Sequence, residues 1–135
     1  MGVLLTTVLL DSHVVHWWTS EELRQLSRPA VRAIERADNL AVASISWWEL
    51  AWLVRSERIR IHRPMRSWLD GLASTFDTVP LTPAIAEAAA SLSREFPSDP
   101  ADRIIYATAI ETGFQLVTKD ERMRSYPQPR KIIIW

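Results

Sequence analysis

Residues 3–11, VLLTTVLLD, set the frame for the rest of the chain. Eight mostly apolar, β-favouring residues run without the polar alternation of a strand that has one face in water. They read as a strand covered on both faces, as in a parallel sheet. An acid, Asp11, ends the run. In open parallel sheets the C-terminal ends of the strands are where ligands bind, near a switch in strand order. An acid directly after such a strand is therefore a candidate functional group.

The pattern continues outward from that strand. A helix is expected from about Ser27, with Pro29 in its first turn and Val31, Ile34 and Ala37 at helical spacing, until Asp38-Asn39 breaks it. LAVAS (40–44) reads as a second strand. Ser46 and Glu49 form an S-x-x-E capping box opening the apolar helix WWELAWLVR. A helix around 64–74 carries Met65, Trp68, Leu69 and Leu72 on one side. A short strand near 77–80 and an alanine-rich helix near 83–94 follow. Asp99 suits an N-cap, Pro100 the first helical position and Gly113 the stop of ADRIIYATAIET. FQLVT (114–118) is a strand, KDERM a helical turn and KIIIW a last strand. Strands alternating with helices imply an α/β fold with a central parallel β-sheet, right-handed crossovers and helices on both faces. No repeat or linker divides the chain, so residues 1–135 are expected to form one domain.

Composition narrows the chemistry. The 135 residues include no cysteine, which removes a disulfide framework, a thiolate zinc site and a cysteine nucleophile. Only three are glycine and 47% are hydrophobic, so the chain folds around a core. The N-terminus has a short apolar run, no basic leader, and an acid that stops it. It fits neither a signal peptide nor a membrane span, and a cytoplasmic location is expected. Sixteen basic and sixteen acidic residues balance, so net charge is silent about nucleic acid, although its distribution is not. Arg55, Arg58, Arg60, His62, Arg63 and Arg66 fall within twelve positions, as a solvated helix end or as a phosphate-binding segment. Most of the seven tryptophans suit a core or an interface; Trp17 and Trp18, just past Asp11, could also stack on a base.

The acids form the main constellation. Asp11 ends the first strand, Glu49 follows the second in the first helical turn, Asp120 follows the fourth, and Asp102 comes from the first turn of a neighbouring helix. Each has an ordinary explanation: Glu49 completes a capping box, Asp102 sits where a helix dipole favours an acid, and Asp120 caps a turn. Together, carboxylates converging at one sheet edge repel one another unless a cation joins them. Hard oxygen ligands without imidazole or thiolate suit Mg²⁺ or Mn²⁺. Other chemistries lack their motifs, since there is no phosphate-cradling glycine loop, no H-E-x-x-H and no nucleophile elbow. His13 and His16 straddle a strand end, and Ser12 is expected to orient the loop after Asp11 through its hydrogen bonds.

With these residues placed, the chain resembles the PIN-domain ribonucleases, and within them the VapC-like toxins of toxin–antitoxin pairs. LLDSHVVHW (9–17) is similar to the family's opening D-[TS]-H-x-x-x-W. SISWWELAWLVR (44–55) is similar to its S-x-x-E helix, DPADRIIYATA (99–109) to D-P-x-D-R, and LVTKDERM (116–123) to L-x-T-x-D. The resemblance covers essentially the whole length, with Ser12 where threonine is common. It implies a PIN-like fold and metal-dependent cleavage of RNA phosphodiester bonds. It also implies Asp11, Glu49, Asp102 and Asp120 as catalytic and metal-binding acids, Asp99 as a capping acid, and Arg103 and Thr118 in support. Arg55, Arg58, Arg60, Arg63 and Lys119 could hold RNA phosphates. A cognate antitoxin, docking with the helix at 47–54, and a homodimer follow by analogy, with no membrane partner. Two alternatives stay open. A receiver-like signalling domain would need an acid pair after the first strand, where Asp11 is followed by Ser12 and His13. A non-catalytic PIN-like RNA- or protein-binding module would not need all four acids.

Overall fold

The computed structural model describes residues 5–128 and 130–135. Five parallel strands, β1 (Thr7–Leu10), β2 (Asn39–Ala43), β3 (Asp77–Val79), β4 (Gln115–Val117) and β5 (Ile133–Ile134), make one sheet in the order β3-β2-β1-β4-β5. Val3 and Leu4, at the start of the expected first strand, lie outside the described residues, and Leu5 and Thr6 precede β1. In the centre, Leu9 pairs with Ala41 on one side and Leu116 on the other. The chain builds outward from β1 through β2 to β3, then returns to the other side of β1 for β4. The switch in strand order therefore lies between β1 and β4. This order differs from the 2-1-3-4-5 order of receiver-like folds.

Alternation along β1 divides the core. Val8 and Leu10 join Val42 and Val117 on one face, covered by α1 (Ser12–Thr19), α2 (Arg28–Arg36), α3 (Ile45–Arg55) and α4 (Met65–Thr75). Leu9, Ala41, Ala43, Leu116 and Ile133 point to the other face, against Ile105, Tyr106 and Ala109 of α6 (Pro100–Thr112) and Met123 of α7 (Glu121–Ser125). The remaining helix, α5 (Pro83–Ser91), packs through Ile85 and Ala89 on Ala107 of α6. Helices thus cover both faces, as expected of a buried parallel sheet. Each fully buried aliphatic side chain contributes roughly 2 kcal/mol, so the sheet is held by its two apolar covers more than by its short strands.

Most helix boundaries match the sequence reading. Ser27 Oγ accepts from Ala30 N at the start of α2, with Pro29 beside it, and Asp99 Oδ1 accepts from Asp102 N at the start of α6. Gly113 ends α6 at φ 78°, a left-handed conformation that glycine adopts without steric cost.

Two expectations are corrected. The chain turns helical immediately after Asp11, some fifteen positions before the helix expected at Ser27, so His13 and His16 both lie on α1 and do not straddle a strand end. Val14, Val15, Trp17 and Trp18 are weak helix formers, and α1 persists because Val14 and Val15 are fully buried and Asp11 caps it. The S-x-x-E capping box does not form. Backbone at Ser44 is already helical, placing Ser46 inside α3, where its buried Oγ has no partner. Ser44 Oγ instead accepts from Leu81 N, tying α3 to the segment after β3.

Candidate active site

The C-terminal ends of β1 and β4 open into a cleft of about 470 Å³ that contains Asp11, Glu49, Asp99, Asp102 and Asp120, with Arg58, Lys119 and Arg122 on its walls. Local chemistry fixes each acid. Asp11 is only 8% exposed. Its Oδ1 accepts from Ser12 N at 2.8 Å, and its Oδ2 accepts from Thr118 Oγ1 at 2.6 Å. Burial pushes its carboxyl above the ordinary value, and these two hydrogen bonds pull against that rise.

Glu49 stands one turn inside α3, not in its first turn. It accepts from Ser12 Oγ. Ser12 thus opens α1 and links the β1 end to α3; it is not a loop residue. Burial raises the Glu49 carboxyl, and the charges of Asp11 and Asp99 raise it further. Asp102, in the first turn of α6, is pushed up to about 7, first by burial and then by Asp99, Asp11, Asp120 and Glu49. Four other acids raising one carboxyl is the electrostatic signature of convergence.

Asp120 has two tasks. Its Oδ1 caps α7 by accepting from Arg122 N at 2.9 Å and Met123 N at 3.1 Å, and its Oδ2 lies 3.8 Å from Arg122 Nη2. The same guanidinium nitrogen is 3.7 Å from Asp102 Oδ2. Arg122 is the cation nearest the acids, and the sequence reading did not single it out. Its position beyond Asp120 in KDERM carried no spacing signal. Asp99, assigned to capping, does cap α6, yet it also stands in the cleft. One carboxylate oxygen from each of Glu49, Asp99 and Asp102 lies within 4.8 Å of the others. That spacing is close to twice a metal–oxygen bond of about 2.0–2.6 Å. The all-oxygen donor set, in which burial and neighbouring acids raise the Glu49 and Asp102 carboxyls, fits a hard divalent cation.

The expected RNA-binding residues separate. Arg58 and Lys119 line the acidic cleft, where Lys119 Nζ lies 5.7 Å from the ring centre of Trp17, itself a wall of the cleft. His13 lines it too. Arg60 and Arg63 face a second cleft, and Arg55 is exposed at the end of α3. Arg103 does not enter the acidic cleft. Its guanidinium donates to the carbonyls of Ala89, Leu92, Ser93, Phe96 and Pro97, gathering the segment that leads to Asp99. Among the described residues no helix is long and apolar enough to cross a membrane.

Comparison with known proteins agrees with this geometry. Residues 8–129 match the PIN domain family model. The chain is 57% identical over 131 residues to Ribonuclease VapC22 of Mycobacterium tuberculosis (strain ATCC 25618 / H37Rv), covering 97% of this chain and 100% of that one. The fold is similar to a chain of a toxin-antitoxin complex from Klebsiella pneumoniae, with TM-score 0.64, 23% identity, and coverage of 93% and 99% of the two chains. It is also similar to VapBC2 from Rickettsia felis bound to a DNA fragment from their promoter, with TM-score 0.68, 17% identity, and coverage of 95% and 97%. The family model matched over most of the chain and the 57% identity agree: the chain belongs to the PIN domain family, with VapC proteins among its relatives.

Proposed function

We propose that this protein is a divalent-metal-dependent endoribonuclease that hydrolyses RNA phosphodiester bonds and acts as the toxin of a toxin–antitoxin pair. The convergence of five carboxylates in one cleft, with Asp102 raised to about 7, carries the reading. The 57% identity to a protein named as a ribonuclease supports it.

Glu49, Asp99 and Asp102 would hold the cation, with Asp11 and Asp120 completing the acidic lining. Bound Mg²⁺ or Mn²⁺ supplies charge stabilisation at the scissile phosphate and makes a nearby water a better nucleophile. The protein side does the rest. Ser12 and Thr118 hold Glu49 and Asp11 in fixed orientations, which limits reorganisation during the reaction. Arg58 and Lys119 neutralise the phosphates on either side of the cleaved bond. A carboxylate of this set accepts the proton released by the attacking water.

A protein partner fits the surface beside the acids. Trp48 and Trp52, one turn apart on α3, are 58% and 54% exposed and stack with ring centres 6.2 Å apart. A shallow groove of Ile45, Trp48, Pro100 and Ala101 runs from them to Asp99 at the rim of the acidic cleft. An antitoxin segment docked there would cover apolar surface and the acids' entrance together. Residues 1–135 acting as one cytoplasmic domain, and pairing into a homodimer, complete the proposal.

The test is direct. Purified protein should cleave RNA with Mg²⁺ or Mn²⁺, stop with EDTA, and lose cleavage in Asp11→Asn. A folded Asp11→Asn variant that cleaves at the wild-type rate would show that the assigned cleft is not the active site.

A further inference from the structure

Beside the acidic cleft, on the other flank of α1, lies a second cleft of about 330 Å³ whose chemistry is opposite. His16, Thr19 and Ser20 form one wall; Arg60, His62 and Arg63 form another; Trp68 and Leu72 close the floor. No carboxylate lines it. Glu22, just past the end of α1, is already engaged by His16 Nε2 at 3.1 Å and Ser20 Oγ at 3.2 Å. Among the described residues neither Arg60 nor Arg63 has a carboxylate within salt-bridge distance.

One of these cations, the exposed Arg63, lies over a glycine of α4. Gly71 lies inside α4, where glycine costs about 1 kcal/mol against alanine. A Cβ there would fall 2.7 Å from Arg63 Nη2. The guanidinium thus lies against the bare helix surface that glycine leaves. Arg66, in the same arginine run, is instead paired with Asp70 at 3.1 Å on the surface. The run is therefore sorted: Arg58 to the acidic cleft, Arg60 and Arg63 to the second, and Arg66 to an ion pair.

We propose that this second cleft is a nucleotide-binding subsite for the RNA strand on one side of the cleaved bond, with Arg60 and Arg63 on phosphates and Trp68 against a base. The inference rests on the ribonuclease reading of the acidic cleft. Unpaired guanidiniums suit phosphates, and an aromatic floor suits a base whatever its sequence. Geometry connects the two clefts. α1 presents His13 and Trp17 to the acidic cleft and His16 and Ser20 to the second. These residues stand one to seven positions apart, or about 1.5–10.5 Å along the helix axis. A stacked strand advances about 3.4 Å per nucleotide, so one to three nucleotides span the gap.

Binding of a fluorescein-labelled single-stranded RNA dodecamer is followed by anisotropy across a salt series. The background is Asp11→Asn, which separates binding from cleavage. Arg60→Ala with Arg63→Ala should weaken binding at least about tenfold at low salt. It should also lower the salt slope by about 1.4, the release of two single-strand phosphate contacts. Arg32→Ala with Arg36→Ala, exposed on α2 and outside both clefts, removes the same charge and should change affinity little. Equal losses from the two pairs would mean diffuse attraction and overturn the subsite. Wild-type RNA affinity in the Arg60/Arg63 pair would overturn it too, and loss of binding to a labelled polyglutamate peptide alongside that result would assign the cleft to an acidic protein partner. Cleavage is read separately with Mg²⁺. RNA binding that depends on Arg60 and Arg63 in a protein that never cleaves would refute the hydrolytic reading and keep the subsite.

Discussion

Thr118 Oγ1 donates to Asp11 Oδ2 over 2.6 Å, and the same oxygen accepts from Asp120 N at 3.1 Å. One hydroxyl at the end of β4 thus joins the acid at the end of β1 to the turn that carries Asp120. Both strands meet at the switch in strand order, so the link spans the seam of the sheet at the point where the cleft opens.

Removing that hydroxyl tests whether it tunes Asp11. The bond favours the charged carboxylate, so its loss raises the Asp11 pKa beyond the rise that burial already causes. Thr118→Val should shift the acid limb of the cleavage pH profile upward. It should also cost about 1.5–3 kcal/mol of stability, the net worth of a charge-assisted bond, and slow cleavage at neutral pH. Thr118→Ser should recover most of this. A Thr118→Val profile superimposable on the wild type would remove the tuning role.

Asp102 makes a prediction about metal and stability. Its folded value of about 7 lies above the ordinary 3.8, so the folded state holds a proton that the unfolded chain releases. Stability from this group is present below 3.8 and is lost as pH rises through about 7. Metal-free protein should therefore melt at lower temperature at about pH 8 than at about pH 5. Mn²⁺ should raise the melting temperature most at the higher pH, where no proton has to be displaced. Asp102→Asn should flatten the metal-free pH dependence and abolish most of the metal response. A cation response equal at both pH values, read by calorimetry, would contradict the assignment.

The sequence disclosed much of this arrangement wherever local rules act alone. Asp99-Pro100 and Gly113 bracket α6 because caps, proline and left-handed glycine are decided within a few residues. Asp11 and Asp120 were legible because they follow the ends of β1 and β4, and strand ends share one edge in a parallel sheet. What stayed hidden depends on contacts distant in sequence. α1 could not be read from Val14, Val15, Trp17 and Trp18, since its helix is held by burial against the sheet. The Ser12–Glu49 bond spans 37 positions. Asp99 was explained by its capping role, which concealed its place beside Glu49 and Asp102. The arginine run could not be divided between two clefts from spacing alone.

Ser46 separates two readings of the α3 start. A capping-box serine changed to alanine should cost about 1 kcal/mol. The structure instead shows a buried hydroxyl without a partner. Replacing an unsatisfied buried polar group by a methyl is neutral or stabilising. Ser46→Ala should therefore unfold at the same denaturant concentration as the wild type or slightly above it. A loss near 1 kcal/mol would restore the cap.

Arg103 should prove to be a positioning residue. Its planar guanidinium serves carbonyls from residues 89 to 97 and closes the loop that delivers Asp99 to the cleft. Lysine keeps the charge but has one compact head in place of a rigid fork, and it cannot satisfy carbonyls spread over that arc. Arg103→Lys should lose about 1–3 kcal/mol of stability through the carbonyls left unpaired, and the 92–98 segment should become easier to cleave by protease. It should also weaken Mn²⁺ binding, because Asp99 and Asp102 flank the same helix start. Loss of stability with unaltered Mn²⁺ affinity, measured by calorimetry on the folded variant, would limit Arg103 to holding the loop and remove its link to the acids.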